Sequence, residues 1–402
     1  MTLSEELQWR GFVNQTTFKD ISELDVKTRT FYWGCDPSSD SLTIGNLAAG
    51  MMARVFIQHG YTPIVLIGGA TGMVGDPKDD EERQLKSLEE IDRNKQAISV
   101  QYKQIFDGLE FTLVDNYDWF KDMGYLQFLR EVGKHTSMSQ LLDREFVKAR
   151  VGEDKTGLSY AEFSYSLIQG YDFLHLSREY EVSLQLCGAD QWGNSISGVD
   201  LIRRLDQEEA HVWSSPLVIN KTTGKKFGKS EEGAVWLDAS KTSPFKYYQF
   251  WLNVDDAGVG EYLKIYTAIE PGQFEELMGE FEGNPQERAA QKYLAFEATK
   301  LIHGEQTAES VKRVSEVLFG QKTFAELSKE DLDALAKEIP TTSAGTLIAA
   351  LVESEAATSN GEARRLLAGG AVSVNGEKAS EDLQLKKPSL IKKGKNTFIL
   401  AH

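Results

Sequence analysis

The sequence predicts an α/β protein built on a doubly wound parallel sheet, because short apolar runs that end in glycine alternate with helical segments. Residues 61–67 form one such run, closed by Gly68-Gly69, and residues 182–186 form another, which ends at Cys187-Gly188. Such runs are typical of strands buried on both faces of a parallel sheet. Strands that alternate with helices predict a sheet covered by helices on both sides, of the Rossmann-like kind.

The first strand and helix of this sheet lie near the start of the chain. Residues 30–35 are the first predicted strand, a turn follows at residues 36–38, and a helix runs over about residues 45–59. Ligands of this fold class bind beyond the carboxyl ends of the strands, where the glycine-rich turns fall. Residues 120–165 are rich in helical pattern and predict an insertion between the two halves of the sheet.

The second half of the chain is predominantly helical. Aromatic and apolar residues recur at helical spacing over residues 243–318. Residues 321–345 are polar and contain Pro340 to Gly345, which predicts a linker. Beyond it we expect helices at 347–352 and 360–367, a strand at 372–374 and a hairpin turn at Asn375-Gly376.

The composition is that of a folded protein without membrane spans. The 402 residues are 41% hydrophobic and 26% charged, and no run of about 18 apolar residues occurs. The first residues show no basic segment followed by an apolar one, so we expect no secretory signal and a cytoplasmic location. The only cysteines are Cys35 and Cys187, which argues against a disulfide framework. The six histidines form no closely spaced pair, and we predict no metal site.

Charge is distributed unevenly along the chain. The net charge of −17 argues against a surface covered with nucleic-acid contacts. Residues 340–402, however, hold eight Lys/Arg and six Asp/Glu, a net of +2 that leaves −19 for the rest. A local basic patch on an acidic protein indicates a partner held on one defined face. A solvated lysine surface is the alternative interpretation.

Two separated motifs indicate chemistry on a nucleotide. The first is the turn at residues 32–37, which runs into a helix through residues 41–47, and the second is the lysine-rich loop at residues 225–230. A turn that opens a helix N-terminus is a natural phosphate site. A lysine loop can neutralise charge that builds on phosphates during a reaction, although such a loop by itself is most often a plain exposed turn. Together the motifs indicate an enzyme that acts on the α-phosphate of ATP.

Seven motifs in one order resemble those of the bacterial tyrosyl-tRNA synthetases. The turn at 32–47 is similar to their first signature, and Lys-Phe-Gly-Lys-Ser at 226–230 is similar to their lysine signature. The matching segments between these two are 68–77, 116–119, 162–165, 169–172 and 188–194. The C-terminal region resembles the small RNA-binding domain of these enzymes. One motif would be a weak signal, whereas seven in order are specific.

The resemblance implies roles for residues of a tyrosine site. Tyr32 and Asp172 would recognise the phenol, and a pocket with buried polar partners for a hydroxyl rejects phenylalanine strongly. A buried carboxylate such as Asp172 is rare without a partner. The residues implied for the α-ammonium group are Asp76, Tyr165 and Gln169. The residue implied for the substrate carboxylate is Gln191.

The resemblance also implies roles in binding ATP and RNA. The residues implied near the nucleotide are Gly34, Asp36, Gly45, Gly188 and Asp190. The residues implied to stabilise the pyrophosphate in the transition state are Lys226, Lys229, Ser230 and Arg83. The residues implied to contact RNA are Arg364, Arg365, Lys386, Lys387, Lys392 and Lys393.

The chain departs from the family pattern at the first signature. Thr43 stands where the family has histidine, and Asn46 stands where it often has a second histidine. Threonine can donate a hydrogen bond to a phosphate oxygen but carries no charge. The loop at 78–83 is one residue shorter than usual and more acidic. We keep Thr43 and Asn46 as candidate catalytic residues, and losing one transition-state donor costs roughly 10²–10³ in rate.

The activity implied by the resemblance has two steps. L-tyrosine would react with ATP, accompanied by Mg²⁺, to give tyrosyl-adenylate and pyrophosphate, and the tyrosyl group would then pass to the 3′ end of tRNA(Tyr). A homodimer, formed through the insertion near residues 128–142, is implied as well. The implied domains are a catalytic domain at 1–222 with its insertion at about 120–165, the lysine loop with a helical anticodon-recognition domain at 223–320, a linker at 321–345 and a small α+β RNA-binding domain at 346–402.

Two other functions stay open on the sequence. A catalytically impaired paralogue that acts as an RNA-binding protein is favoured by Thr43 and by the acidic loop at 78–83. A tyrosine-adenylating enzyme with a non-tRNA acceptor is disfavoured by the basic C-terminal region, which would then have no role. Tryptophan as the substrate is disfavoured by the pair Tyr32 and Asp172.

Overall fold

The computed structural model describes residues 1–77, 84–142, 144–151, 157–230, 233–394 and 397–402. At positions 140, 145, 146, 149, 229 and 230 it describes the backbone alone. The chain divides into two compact units. The first comprises Met1–Thr242 with Val254–Leu294, and the second comprises Ser243–Asn253 with Ala295–His402.

The first unit contains a six-stranded sheet and a two-stranded ribbon. Its strands are β1 (Gln15–Thr16), β2 (Thr30–Cys35), β3 (Thr62–Ile67), β4 (Thr112–Asp115), β5 (Val182–Gly188), β6 (His211–Ser215), β7 (Lys229–Ser230) and β8 (Gly233–Ala234). The order across the large sheet is β1-β6-β5-β2-β3-β4, and β7 pairs with β8. All neighbours in the large sheet are parallel except β1, which is antiparallel to β6 at the edge.

The winding of the sheet reverses beside β2. From β2 the chain continues to β3 and β4 on one side, and it later returns to β5 and β6 on the other. Strands β2 and β5 are direct neighbours, with Trp33 opposite Leu186. Their carboxyl ends therefore lie side by side at a topological switch point, where open α/β sheets bind ligands. The predicted doubly wound α/β fold is confirmed.

The helices and short 3-10 turns of the chain follow in order. The first ten helices are α1 (Leu3–Arg10), α2 (Ile44–Gln58), α3 (Thr71–Val74), α4 (Leu88–Ile105), α5 (Tyr117–Phe120), α6 (Tyr125–Glu131), α7 (Met138–Leu142), α8 (Glu145–Arg150), α9 (Tyr160–Tyr180) and α10 (Trp192–Leu205). The others are α11 (Pro244–Leu252), α12 (Val259–Tyr266), α13 (Pro271–Gly283), α14 (Ala289–His303), α15 (Glu305–Leu318), α16 (Lys329–Leu335), α17 (Leu347–Glu353) and α18 (Asn360–Ala368). The 3-10 turns are Ile21–Asp25, Gly133–His135, Ala189–Gln191, Pro285–Glu287 and Phe324–Glu326. None of the described helices is long and apolar enough to cross a membrane.

The predicted insertion is helical in the structure. Helices α6, α7 and α8 fall within residues 120–165. Val132 and Leu141 of this segment pack against Leu167 of α9 and Leu201 of α10. The insertion is thereby packed on the two helices that follow it, both of which carry residues of the site described below.

The second unit combines helices with a five-stranded sheet. Its strands are β9 (Thr341–Thr342), β10 (Val372–Val374), β11 (Glu377–Lys378), β12 (Ser389–Lys393) and β13 (Thr397–Ala401), in the order β11-β10-β12-β13-β9. Helices α17 and α18 supply Leu347, Leu351 and Leu367 to a core shared with Ile391 and Ile399. The predicted hairpin is present, because β10 and β11 pair antiparallel around Asn375-Gly376. Both turn residues have positive φ, 51° and 91°, as a tight hairpin turn requires.

The segment expected as a linker is largely ordered. Residues 321–345 contain a 3-10 turn, α16 and β9. Leu335 is fully buried in a cluster with Leu318 and Leu400, and Leu332 packs against the same cluster. Charged and small polar residues dominate this segment and mask a helix whose leucines recur at helical spacing. The division into two units also differs from the four expected segments, since residues 223–242 belong to the first unit and 243–253 to the second.

Candidate active site

A cavity of about 720 Å³ opens at the carboxyl ends of β2 and β5. The predicted site residues that line it are Tyr32, Gly34, Asp36, Thr43, Gly45, Asn46, Asp76, Tyr165, Gln169, Asp172, Gly188, Asp190, Gln191 and Lys226. Arg83 lies outside the described residues, and the side chains of Lys229 and Ser230 are not described either. The fold thus brings the predicted tyrosine and nucleotide residues to one cavity at the switch point.

One part of the cavity presents a buried hydroxyl and a buried carboxyl group. Tyr32 on β2 and Asp172 on α9 are each 1% exposed. The Tyr32 hydroxyl has no hydrogen-bond partner among the described residues. Asp172 accepts a hydrogen bond from Asn116 Nδ2 at 3.1 Å and another from Trp119 Nε1 at 2.9 Å. A buried hydroxyl without a partner is costly, so this pair suits a ligand that brings its own polar group.

Burial sets the protonation of both groups. The pKa of the Asp172 carboxyl is well above its usual range because burial disfavours the charged form, an effect that the hydrogen bonds from Asn116 and Trp119 oppose. Burial, and then the nearby Asp172, raise the pKa of the Tyr32 hydroxyl well above its usual value. Tyr32 therefore keeps its proton at neutral pH and can donate a hydrogen bond to an oxygen of a ligand.

A second part of the cavity is lined by the amide and carboxylate groups around Asp76. Asp76 Oδ2 accepts from Gln191 Nε2 at 2.8 Å, and Asp76 Oδ1 accepts from Asn194 Nδ2 at 3.3 Å. Asn194 Nδ2 also donates to Gln191 Oε1 at 3.1 Å. A carboxylate held in place by two amides is a preorganised acceptor for a cationic group.

A second carboxylate, Asp36, is fixed from two sides. The Tyr165 hydroxyl donates to Asp36 Oδ2 at 2.8 Å, and Thr71 Oγ1 donates to Asp36 Oδ1 at 2.6 Å. Burial, and then the charge of Asp36, raise the pKa of Tyr165 well above its usual value. A Cβ on Gly68 would overlap Asp36 Oδ1 and Thr71 Oγ1, so only glycine leaves room for this pair.

The start of α2 is closed by its own side chains. The backbone N–H and the hydroxyl of Thr43 both donate to Asn46 Oδ1, each at 2.9 Å. Asn46 Nδ2 in turn donates to Cys35 Sγ at 3.5 Å. This arrangement caps the helix. The hydroxyl proton of Thr43 goes to Asn46 here, whereas the sequence suggested a phosphate oxygen as its acceptor.

Backbone hydrogen bonds tie the lysine loop to the start of α2. Val235 N donates to Gly228 O at 3.0 Å, and Ile44 N donates to Val235 O at 3.1 Å. Gly228 has φ +101°, and a Cβ there would lie 3.0 Å from Ile44 Cγ1. The exposed Lys226 lines the cavity. The two motifs that first indicated nucleotide chemistry are therefore joined through Val235.

Several residues that line the cavity or hydrogen-bond to its lining were not assigned a role from the sequence. Asn116 and Trp119 belong to a segment that was singled out, but their hydrogen bonds to Asp172 could not be read from it. Asn194 is the last residue of the motif at 188–194, and its hydrogen-bond partners were not indicated by the sequence. Gln185 on β5 is 3% exposed and lines the cavity, and its Oε1 has no hydrogen-bond partner among the described residues. A glutamine in a buried central strand was the signal that could have revealed it.

Two family models match the chain. The model described as tRNA synthetases class I (W and Y) matches residues 26–320, and the model described as Tyrosine--tRNA ligase SYY-like C-terminal domain matches residues 331–401. The first match covers more than half of the chain and includes every residue that lines the cavity. The chain belongs to the class I tRNA synthetases of the W and Y family. The resemblance inferred from the seven motifs is confirmed.

This synthetase is similar along its whole length to curated members of the family. It is 39% identical over 420 residues to Tyrosine--tRNA ligase 2 of Bacillus cereus (strain ATCC 10987 / NRS 248), with 100% of this chain and 99% of the relative covered. It is 40% identical over 420 residues to Tyrosine--tRNA ligase of Escherichia coli (strain K12 / DH10B), with 99% and 98% covered. Among solved structures, a C-terminally truncated Aspergillus nidulans mitochondrial tyrosyl-tRNA synthetase is 27% identical with a TM-score of 0.71, covering 79% of this chain and 94% of that one.

Proposed function

We propose that this class I synthetase is a tyrosine–tRNA ligase, which activates L-tyrosine with ATP and transfers it to tRNA(Tyr). The observation that carries the proposal is a pair of buried groups in the same cavity as Lys226: Asp172, and the Tyr32 hydroxyl, which has no hydrogen-bond partner in the described part of the chain. The names of the whole-length relatives, both tyrosine–tRNA ligases, support the amino acid and the acceptor.

The phenol of the substrate lies between Tyr32 and Asp172 in this proposal. Tyr32 donates a hydrogen bond to the phenol oxygen, and Asp172 accepts a hydrogen bond from the phenol hydroxyl. Phenylalanine would leave both groups buried without a partner, which is the condition for strong rejection of an analogue that lacks the hydroxyl. Gln185 completes the polar lining of the cavity in this proposal.

The other end of the amino acid is held by Asp76 with Tyr165 and Gln169, which accept hydrogen bonds from the α-ammonium group. Gln191 orients the substrate carboxylate. An oxygen of that carboxylate forms a bond to the α-phosphorus of ATP while the bond from this phosphorus to the bridging oxygen breaks, and pyrophosphate leaves. Positioning of the two reactants contributes a large part of the rate in such a reaction.

The nucleotide is held at the start of α2 and along β5 in this proposal. Gly34, Asp36, Gly45, Gly188 and Asp190 surround it. Charge that develops on the pyrophosphate is stabilised by basic and hydroxyl groups of the lysine-rich loop at 225–230 and by a basic group of the loop at 78–83. The residues assigned to that task are Lys226, Lys229, Ser230 and Arg83, with Thr43 and Asn46 at the helix start.

Magnesium enters with ATP in this proposal. Among the described residues, no group of three His, Cys, Asp or Glu side chains is arranged to hold a metal ion. Mg²⁺ is commonly bound by substrate phosphates and water with few protein ligands. ATP with its Mg²⁺ is therefore treated as the substrate, and no tightly bound cofactor is proposed.

The second unit provides the RNA contacts in this proposal. Arg364 and Arg365 are exposed on α18, and Lys386 is exposed in the loop before β12. Lys387 Nζ donates to Ser343 O and Lys393 Nζ to Ala356 O, while Lys392 Nζ lies 5.1 Å from the centre of the Phe398 ring.

Transfer to tRNA is the second step of the proposed reaction. A ribose hydroxyl of the 3′-terminal nucleotide attacks the adenylate carbonyl, with loss of the hydroxyl proton and departure of AMP.

A homodimer formed through the helical insertion is part of the proposal. The insertion exposes large apolar side chains: Tyr125 at 61%, Leu126 at 79%, Met138 at 57% and Leu142 at 50%. Clustered exposed apolar residues mark interaction surfaces. We also place the enzyme in the cytoplasm, a location compatible with its two free cysteines.

Tyrosine-dependent exchange of labelled pyrophosphate into ATP tests the first step. We expect exchange in the wild type, loss of exchange in Lys229→Ala, and retention in Lys225→Ala, since Lys225 is an exposed neighbour that does not line the cavity. Absence of exchange in the wild type, with recovery in Thr43→His, would favour the RNA-binding paralogue instead. Exchange without charging of tRNA(Tyr) would favour a non-tRNA acceptor.

A further inference from the structure

Arg144 connects the helical insertion to the cavity. It lies between α7 and α8, and its guanidinium reaches α10, where Nη1 donates to Asn194 Oδ1 at 3.3 Å and Nη2 donates to Ser197 Oγ. Asn194 is the residue whose Nδ2 donates to Asp76 Oδ1 and to Gln191 Oε1. A chain of hydrogen bonds therefore runs from the insertion, through one asparagine, to the carboxylate of Asp76.

Arg144 is a cation in an unfavourable position. Burial lowers the pKa of its guanidinium to about 10, with Asp200 opposing the shift, so it remains protonated at neutral pH. Its hydrogen-bond partners among the described residues are the neutral side chains of Asn194 and Ser197. Arg144 is partly exposed, and partial removal of a cation from water without a carboxylate among its hydrogen-bond partners carries a cost.

The direction of the hydrogen bonds between Arg144 and Asp76 explains why an arginine occupies this position. An amide side chain has one accepting end and one donating end, guanidinium groups only donate, and ionised carboxylates only accept. Between Arg144 and Asp76, Asn194 therefore has one favourable orientation, with Oδ1 toward the arginine and Nδ2 toward the carboxylate. Without the donor-only group, the amide could turn and direct Oδ1 at Asp76 Oδ1, replacing a hydrogen bond with a repulsion between two acceptors.

We infer that Arg144 is a positioning residue that fixes the orientation of the Asn194 amide and thereby holds Asp76 and Gln191 in place for the amino acid. The inference rests on the proposed function, which assigns Asp76 to the α-ammonium group of tyrosine. Arg144 contacts no reacting group itself. Its replacement should therefore weaken binding of the ammonium group and leave recognition of the phenol unchanged.

The test compares variants of the full chain in pyrophosphate exchange and in equilibrium binding. Arg144→Met removes the donor and should raise the tyrosine KM about tenfold, the effect of weakening one hydrogen bond to a charged group. Arg144→Lys keeps a donor-only cation and should stay within about threefold of the wild type. Ser197→Ala is the matched control, because it removes the other partner of Arg144 and leaves Asn194 oriented. The KM for ATP should not change in any of the three.

Two tyrosine analogues show which group of the substrate binds more weakly in Arg144→Met. Tyramine keeps the ammonium group and lacks the carboxylate, whereas 4-ethylphenol lacks both groups and keeps only the phenol. Arg144→Met should weaken binding of tyramine about tenfold and leave binding of 4-ethylphenol unchanged. Equal weakening of both ligands, or of neither, would overturn the inference.

Loss of folding is separated from loss of positioning by a second variant. Asn194→Asp keeps a partner for Arg144 and improves its charge pairing, but it directs an acceptor at Asp76, so the tyrosine KM should again rise. The inference is overturned if the tyrosine KM is unchanged both in this variant and in Arg144→Met. The proposed function still stands in that case, provided that the wild type catalyses exchange. Absence of exchange by the wild type would instead overturn the proposed function.

Discussion

At Asp172 the protein maintains a carboxyl group where its charge is unfavourable. The side chain is 1% exposed, and hydrogen bonds from Asn116 and Trp119 only partly offset the burial that raises its pKa. Stability would be better served by an apolar residue, and sites of binding commonly retain such destabilising groups. The proposed phenol contact gives a reason for keeping this one.

Asp172→Asn should lower kcat/KM for tyrosine by roughly a hundredfold, as expected when a buried polar contact is lost. Both present neighbours, Asn116 Nδ2 and Trp119 Nε1, are donors, so the amide of the variant must direct its own donor at one of them. Activity toward phenylalanine should change little, so the preference for tyrosine collapses. Pyrophosphate exchange with each amino acid measures this, and an unchanged preference would refute the assignment.

The residue scale also marks the limit of sequence reasoning in this chain. Asp172 could be predicted because the segment at 169–172 resembles a motif of the family. Its partners could not, since the hydrogen bonds join positions 56 and 53 residues apart in the chain. Thr43 lines the cavity, but its donation to Asn46 depends on helix-start geometry that the residue types alone do not specify.

At the element scale, the contact between the lysine loop and α2 depends on glycine. Gly228→Ala would force a Cβ to 3.0 Å from Ile44 Cγ1 at φ +101°. The loop would have to shift, so we expect a several-fold higher KM for ATP or a lower kcat, with tyrosine binding unchanged. Gly224→Ala is the matched control, because Gly224 has φ +67° with no atom within 4 Å of the added Cβ. Equal effects of the two changes would indicate backbone strain alone.

Helix α16 is held to α15 by a buried carboxylate. Asp331 is fully buried and accepts from Arg313 Nε at 2.9 Å and Nη2 at 3.0 Å, and these contacts help to lower its pKa to about 2 against the opposing effect of burial. A lowered pKa contributes stability at pH values above the usual aspartate pKa of about 4. That contribution is lost as the pH falls toward 2.

Asp331→Asn should therefore reduce the free energy of unfolding at pH 7 by about 2 kcal/mol. The difference from the wild type should shrink as the pH is lowered from 4 to 2, because the wild-type carboxyl then becomes neutral too. Urea unfolding at several pH values measures it. Asp333→Asn, an exposed change on the same helix, serves as the control, and a pH-independent difference would contradict the argument.

Elements with a strong periodic or apolar signal were predictable. Strands β2, β3 and β5 and helix α2 lie within two residues of their predicted bounds, because buried parallel strands read as uninterrupted apolar runs. Helix α16 was not predicted, since its seven residues include four charged ones and only two leucines. Its presence depends on packing against residues far along the chain, such as Leu400.

At the scale of the whole molecule, an acidic chain carries its basic cluster in the second unit. Reversing the two exposed arginines of α18, Arg364→Glu with Arg365→Glu, should raise the KM for tRNA about tenfold and reduce the salt dependence of charging. Pyrophosphate exchange needs no tRNA and should not change. The same charge change at Lys329 and Lys337, also exposed in this unit, is the control. Equal loss of charging in both variants would mean that net charge alone matters.

The division of the molecule was the least predictable feature. Composition marked a boundary near residue 345, whereas the compact units assign α11 and residues 295–402 to one body. Membership of a unit is determined by long-range contacts, which local composition does not contain. The fold class and the cavity do not depend on this division, because both depend on the sheet of the first unit.

The fluorescence of the Trp119 indole is expected to depend on whether a ligand occupies the cavity. It donates to Asp172 Oδ1 at 2.9 Å and stacks on His175 with ring centres 4.4 Å apart. A phenol that binds Asp172 alters the electrostatic field at this chromophore and hence its emission. The difference between the spectra of the wild type and Trp119→Phe isolates that signal from the other six tryptophans of the chain, so under the proposed function Trp119 is a built-in fluorescent reporter of tyrosine binding.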